Sequence, residues 1–163
     1  MQRLAQFMKV SPERFAVDWD FDCPNPYDAL KLPRRGTAGS AGYDFYSPLD
    51  FSLAPGEFIK IPTGMRARID EGWVLTIYPR SGQGFKYRLQ LYNSVGVIDS
   101  DYFNAANEGH IQIKIVNANE EGKVLTVRRG EAFAQGIFLP FGVTVDDDVN
   151  DARTGGFGST DRK

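Results

Sequence analysis

From about Lys31 onward the apolar residues fall in short bursts separated by Gly and Pro. HIQIKIV is the clearest burst. Ile111, Ile113 and Ile115 alternate with Gln112 and Lys114, the two-residue period of a strand with one buried face. AGYDFYSP, FSLAPGEFIKIPTG, MRARID, GWVLTIYPR, LQLYNSVGVID, KVLTVRRG and AFAQGIFLP are further β-rich stretches bounded by turn residues. No 3.6-residue apolar stripe follows Lys31. Strands this short and frequent predict an all-β protein, a barrel or jelly roll with at most short helices. The first residues read differently: RLAQFMKV predicts a strand, and SPERFAVDW a short helix with Ser11 as N-cap and Pro12 in the first turn. Three parts are expected: an N-terminal elaboration over 1–30, a barrel core over 31–145 and a flexible C-terminal arm over 146–163. The arm, ending RTGGFGSTDRK, carries too many glycines and too little apolar surface to build a core of its own.

Composition narrows the function classes. A chain of 163 residues suits one domain, which buries roughly two-thirds of its unfolded surface. Lys and Arg number 19 against 21 Asp and Glu, so no basic excess advertises polymeric nucleic acid as a partner. One cysteine (Cys23) and one histidine (His110) leave neither an internal disulfide nor a four-cysteine zinc site. No apolar run approaches the ~18 residues of a membrane helix, and the N-terminus lacks a secretion-signal layout. A soluble, cytoplasmic protein with no membrane partner is expected. The lone His110 is read as a surface or strand-edge residue rather than a ligand.

Four segments besides the arm carry candidate chemistry. YPRSGQGFK sets Arg80 and Ser81 just past a strand, followed by glycines; backbone N–H groups, a guanidinium and a hydroxyl there can cradle phosphate. The alternative is a plain glycine-rich turn. NSVGVIDSDY reads as an apolar hairpin with Asp99 at its lip, a carboxylate able to orient and deprotonate a water, or else an ordinary Asx turn. AGYDFYSP embeds Asp44 between tyrosines, where it reads as a structural hydrogen-bond acceptor. GEAFAQGIF puts Gln135 in an apolar strand, where the amide must either satisfy backbone or face a ligand.

In this order and spacing the five segments AGYDFYSP, YPRSG with GFK, NSVGVIDSDY, GEAFAQGIF and RTGGFGST resemble the trimeric dUTP pyrophosphatases, the dUTPases, over about 31–161. The resemblance implies a distorted antiparallel β-barrel of jelly-roll character. It also implies a homotrimer with active sites shared between chains, and hydrolysis of dUTP to dUMP and pyrophosphate. Asp99 would be the general base for water attack on the α-phosphorus. Arg80, Ser81, Gly82, Gln135, Arg153, Ser159 and Thr160 would bind the phosphates. Asn93, Gly96, Val97, Ile98, Tyr102, Gln112, Phe157 and Gly158 would hold the uracil and deoxyribose. Phe157 would stack on the base as the arm closes, and Tyr102 would lie flush against the sugar to exclude a 2′-hydroxyl. Mg²⁺ is the implied cofactor, carried on the triphosphate and water with no direct protein ligand.

The chain departs from the family pattern at three places. Arg153 and Phe157 are separated only by TGG, one residue fewer than usual. Gln83 stands where Leu or Met usually follows PRSG. FNAANEGH adds residues after Tyr102 and is read as decoration. Two rival readings accompany the resemblance. A dCTP deaminase of the same fold needs an acid on the strand after the hairpin, where HIQIKIV offers none. A nucleotide-gated regulatory binding protein is the other.

Overall fold

The computed structural model describes residues 2–149 and Gly155. Among these, twelve strands and two short helices follow in order. They are β1 (Ala5–Lys9), α1 (Pro12–Asp18), β2 (Arg34–Arg35), β3 (Tyr43–Tyr46), β4 (Phe51–Leu53), β5 (Phe58–Pro62) and β6 (Met65–Ile69). Then come β7 (Trp73–Pro79), α2 (Ser81–Tyr87), β8 (Leu89–Leu91), β9 (Gly96–Ile98), β10 (Gln112–Asn117), β11 (Leu125–Val127) and β12 (Ala132–Pro140). The largest sheet runs β2-β3-β12-β7-β9; smaller ones pair β5-β10-β8, β1-β6 and β11-β4. Every ladder is antiparallel. The chain is thus the all-β protein that the alternation predicts.

The alternation does its expected work. In β10, Ile113 and Ile115 are buried while Gln112 and Lys114 turn to the half-buried face. They join Phe45, Ile61, Leu75, Ile77, Ile111 and Phe133 in one core cluster, each such side chain contributing roughly 1.5–3 kcal/mol by leaving water. Gly136 sits at the centre of the large sheet, where a Cβ would come 2.8 Å from Leu75 Cδ1 and 3.0 Å from Phe45 Cε2. Any side chain there would overpack the core.

Two expectations need correcting. The glycine-rich segment after Arg80 is a helix, not a turn: Ser81–Tyr87 winds into α2 and stops where Arg88, at φ 49, returns its N–H to the Gln83 carbonyl. Its exposed face carries Phe85, 94% exposed, so no apolar stripe marks it. His110 is no surface residue. It is wholly buried, with Nδ1 2.5 Å from Asp18 Oδ2 and Nε2 accepting from the Gly64 N–H at 2.8 Å.

The FNAANEGH loop is tied into the fold. Phe103, Glu108 and His110 bond to Arg66, Ser11 and Asp18, and Asn107 bonds back to Tyr102. One of its counterparts is α1, where the Ser11 hydroxyl caps the helix by accepting from Arg14 N–H and Phe15 is fully buried against Trp19, Tyr27 and His110.

Candidate active site

The end of β7 delivers Arg80, and the first turn of α2 delivers Ser81 and Gly82 beside it. Across the large sheet the register sets Asp44 of β3 opposite Gln135 of β12, and Gln135 opposite Tyr78 of β7. These three strands therefore bring together residues that lie far apart in the sequence. Arg80 Nε lies 3.0 Å from Asp44 Oδ1, a partly exposed pair that fixes the guanidinium. Gln135 spends its Nε2 on the Pro79 carbonyl at 3.0 Å. Its Oε1 lies in the space that a Cβ at position 42 would need, so a side chain there would have to displace the Gln135 amide. A cavity of about 450 Å³ results, lined by Arg80, Ser81, Gly82 and Gln135 together with Asp44 and Lys86. A cation-rich hollow with a hydroxyl and amides is suited to a polyanion.

Sequence reasoning missed three members of this wall. Asp44 is the partner of Arg80, a pairing that only strand register reveals. Lys86 comes round on α2, one turn after Gly82. Gln83 donates Nε2 to the Ala132 carbonyl at 3.2 Å and so ties α2 to β12, while its Oε1 is buried without a hydrogen-bond partner. The substitution of an amide for the family's apolar residue was the available signal.

The other half of the predicted site lies on β9 and its flanks. Ser94, at φ 68, closes the turn from β8 by donating to the Leu91 carbonyl at 3.0 Å. β9 then pairs with β7 along Ile98–Leu75, Val97–Thr76 and Gly96–Ile77, and a Cβ on Gly96 would meet Ile77 Cβ at 3.0 Å. Asp99 follows as the exposed N-cap of a 3-10 turn over Ser100–Asn104, its carbonyl receiving the Tyr102 N–H at 3.2 Å. Tyr102 is buried, with its hydroxyl donating to the His110 carbonyl at 2.9 Å and accepting from Asn107 Nδ2 at 2.8 Å. Asn93 and Gln112 share a second cavity of about 280 Å³ with Lys60, Tyr92 and Lys114. The phosphate-type residues and Asn93 with Gln112 thus line different cavities of one chain, with no residue in common. Arg153, Phe157, Gly158, Ser159 and Thr160 lie outside the described residues.

The fold is thus an antiparallel all-β protein whose large sheet gathers an arginine, a serine and an amide around one cavity, with a carboxylate just past the end of β9. The sequence profile of the dUTPase family matches residues 28–161. The deoxyuridine 5′-triphosphate nucleotidohydrolase of Lactococcus lactis subsp. lactis (strain IL1403) is 46% identical over 135 residues, 80% of this chain and 88% of that protein. That of Tolumonas auensis (strain DSM 9187 / NBRC 110442 / TA 4) is 41% identical over 139 residues, 80% of this chain and 87% of the other. The crystal structure of dUTPase from Streptococcus mutans superposes with a TM-score of 0.63 at 33% identity, covering 86% of this chain and 98% of that one. The chain belongs to the dUTPase family.

Proposed function

We propose that the chain is a dUTP diphosphatase, hydrolysing dUTP to dUMP and pyrophosphate. What supports this reading above all is the 450 Å³ cavity that collects Arg80, Ser81, Gly82 and Gln135 from separate segments, in a chain of this family. The Asp99 carboxylate takes a proton from a water as that water attacks the α-phosphorus, and the bond from the α-phosphorus to the bridging oxygen breaks to release pyrophosphate. A positioned base contributes roughly 10²- to 10⁴-fold. The larger share comes from aligning and neutralising the triphosphate, the work of Arg80, Ser81, the Gly82 amide and Gln135, with Lys86 adding charge. Arg153, Ser159 and Thr160 would complete that set, with Phe157 and Gly158 over the base.

Mg²⁺ would be carried on the triphosphate and its waters rather than by a protein cage, since it favours phosphate oxygens and water. When bound there it offsets negative charge on the triphosphate. Asn93 and the Gly96–Ile98 backbone read the uracil edge, assisted by Gln112, and Tyr102 supports the sugar. Because Asn93 and Gln112 line a different cavity of the chain from the phosphate-type residues, the reading includes assembly into a homotrimer in which neighbouring copies complete each site. A cytoplasmic setting goes with it. No helix among the described residues is long and apolar enough to cross a membrane. Deamination gains no support, since Glu108, the nearest acid before β10, accepts from both the N–H and the hydroxyl of Ser11.

The test is pyrophosphate release from dUTP, dTTP, dCTP and UTP with Mg²⁺, with oligomer mass read in parallel. Turnover of dUTP alone by a particle of three chains is the expected result. Ammonia from dCTP, or equal turnover of dUTP and UTP, would overturn the reading.

A further inference from the structure

The family profile begins at residue 28, so α1 stands outside it. Yet α1 is fastened at both ends to the segment that follows Asp99. At its N-terminus, Ser11 donates both its N–H and its hydroxyl to the Glu108 carboxylate, at 2.8 and 2.5 Å, while the same hydroxyl accepts from Arg14 N–H. At its C-terminal end, Asp18 meets His110, and Arg14 braces Asp18 from the side through Nε at 2.9 Å. Because Gly64 N–H points at Nε2, that nitrogen is the acceptor, and the imidazole proton sits on Nδ1, directed at Asp18.

The two fastened residues flank a tight packing point. Gly109, at φ +67, lies so close to the 3-10 turn that a Cβ would stand 2.6 Å from the Tyr102 carbonyl oxygen and 2.8 Å from Phe103 Cα. The Tyr102 hydroxyl ends on the His110 carbonyl and on Asn107. From the other side, Arg66 stacks on the Phe103 ring at 3.6 Å and donates to the Phe103 carbonyl. One residue, His110, therefore separates the helix from Tyr102, and Tyr102 lies three positions beyond Asp99.

We propose that α1 is a brace for the sugar side of the active site: through Asp18–His110 and Ser11–Glu108 it fixes the 100–110 segment and with it Tyr102, making Asp18, His110 and Glu108 positioning residues for deoxynucleotide turnover. The inserted loop and the N-terminal helix are then one device, each supplying the partners the other lacks. The groups facing His110 are Asp18 and Arg14 from α1, Glu108 from its own loop and the Gly64 amide from the turn before β6. A second proton on His110 would face that amide N–H, so acidification acts on the same joint. This inference rests on the diphosphatase reading.

The experiment compares full-length wild type with Asp18→Ala, Asp18→Glu and Glu108→Gln. It reads kcat and KM for dUTP and UTP, and amide exchange at Tyr102, Ala105 and His110. As the only histidine in the chain, His110 also gives an unambiguous pair of ring-nitrogen signals. Asp18→Ala should raise KM for dUTP and cut the preference for dUTP over UTP, each by about tenfold, with kcat within about threefold, because misplacing a binding surface is felt mostly in binding. Exchange at the three amides should accelerate, and Asp18→Glu should recover most of both effects. If Asp18→Ala fails to fold, Asp18→Asn, which keeps an acceptor for Nδ1–H, takes its place with a smaller expected shift. Unchanged preference and unchanged exchange in a folded variant would overturn the brace, as would ring signals placing the proton on Nε2 in wild type. Wild type that releases no pyrophosphate from dUTP would sink the activity reading instead, and exchange with the ring signals then decides the brace alone.

Discussion

Asp99 occupies the N-cap of a 3-10 turn just past the end of β9, exposed beside buried Ile98 and near buried Tyr102. Rigid neighbours on both sides fix where its carboxylate begins, which is what a proton acceptor for a single water requires. In the proposed reaction Asp99→Asn keeps the shape and hydrogen-bonding reach but abolishes the basicity. Turnover of dUTP should fall by about 10²- to 10⁴-fold while the affinity for a non-hydrolysable deoxyuridine triphosphate analogue stays within a few-fold. Steady-state rates with calorimetric binding check it, and retained turnover removes Asp99 from the mechanism. At this scale the sequence was informative where chemistry is local. Arg80 and Ser81 could be found from a strand end followed by glycine. Asp44 could not, because its ion pair with Arg80 arises from the register of β3, β12 and β7, and no local pattern encodes that.

Elements show the same division. β10 was legible because Ile113 and Ile115 alternate with polar residues over one face. α2 was hidden, since a seven-residue helix with two glycines and an exposed Phe85 has no periodic face to announce it. The docking of α1 was hidden too: Ser11 and Pro12 mark its start, but His110, which receives its other end, lies ninety-two residues from Asp18. That joint has a definite pH dependence. Burial pushes the His110 imidazole below its ordinary value, with Asp18 opposing but not reversing the shift. Burial alone would raise the Asp18 carboxyl, but hydrogen bonds from His110 and Arg14 outweigh it and leave the group lowered. Glu108 is lowered chiefly by the hydrogen bond from the Ser11 hydroxyl. For His110 the unfolded chain binds a proton more readily than the folded one, so its contribution is intact above about pH 6.5 and declines as pH falls below that. The two carboxylates lose their contributions only further down, below about pH 4.5. Thermal unfolding followed from pH 8 to pH 5 should therefore show the midpoint falling by a few degrees, beginning near pH 6.5. A flat profile over that range would mean that His110 is not held neutral.

For the molecule as a whole, the folded core carries both stability and most of the proposed site, while the last residues of the chain are assigned to the proposed activity alone. Among the described residues, the buried core runs from Val10 to Ala134, and Phe138 is the last side chain packed against it. Phe141 to Val149 are all exposed, including the acidic run at Asp146, Asp147 and Asp148. The proposed roles of Arg153, Phe157, Ser159 and Thr160 are wholly on the ligand: a ring for the base, and a cation and hydroxyls for the phosphates. Removing residues 153–163 should consequently lower kcat/KM for dUTP by at least about a hundredfold, since closing contacts align and desolvate the reacting groups. It should leave the melting midpoint within a degree or two and the oligomer mass, corrected for the deleted residues, unchanged. Activity assay, thermal denaturation and light scattering on the truncated chain separate the two quantities. Near-normal turnover would show that the barrel alone encloses the substrate. A lowered midpoint would show instead that the arm contributes to the folded barrel without nucleotide, and closure would then cost the protein less than the glycine content implies.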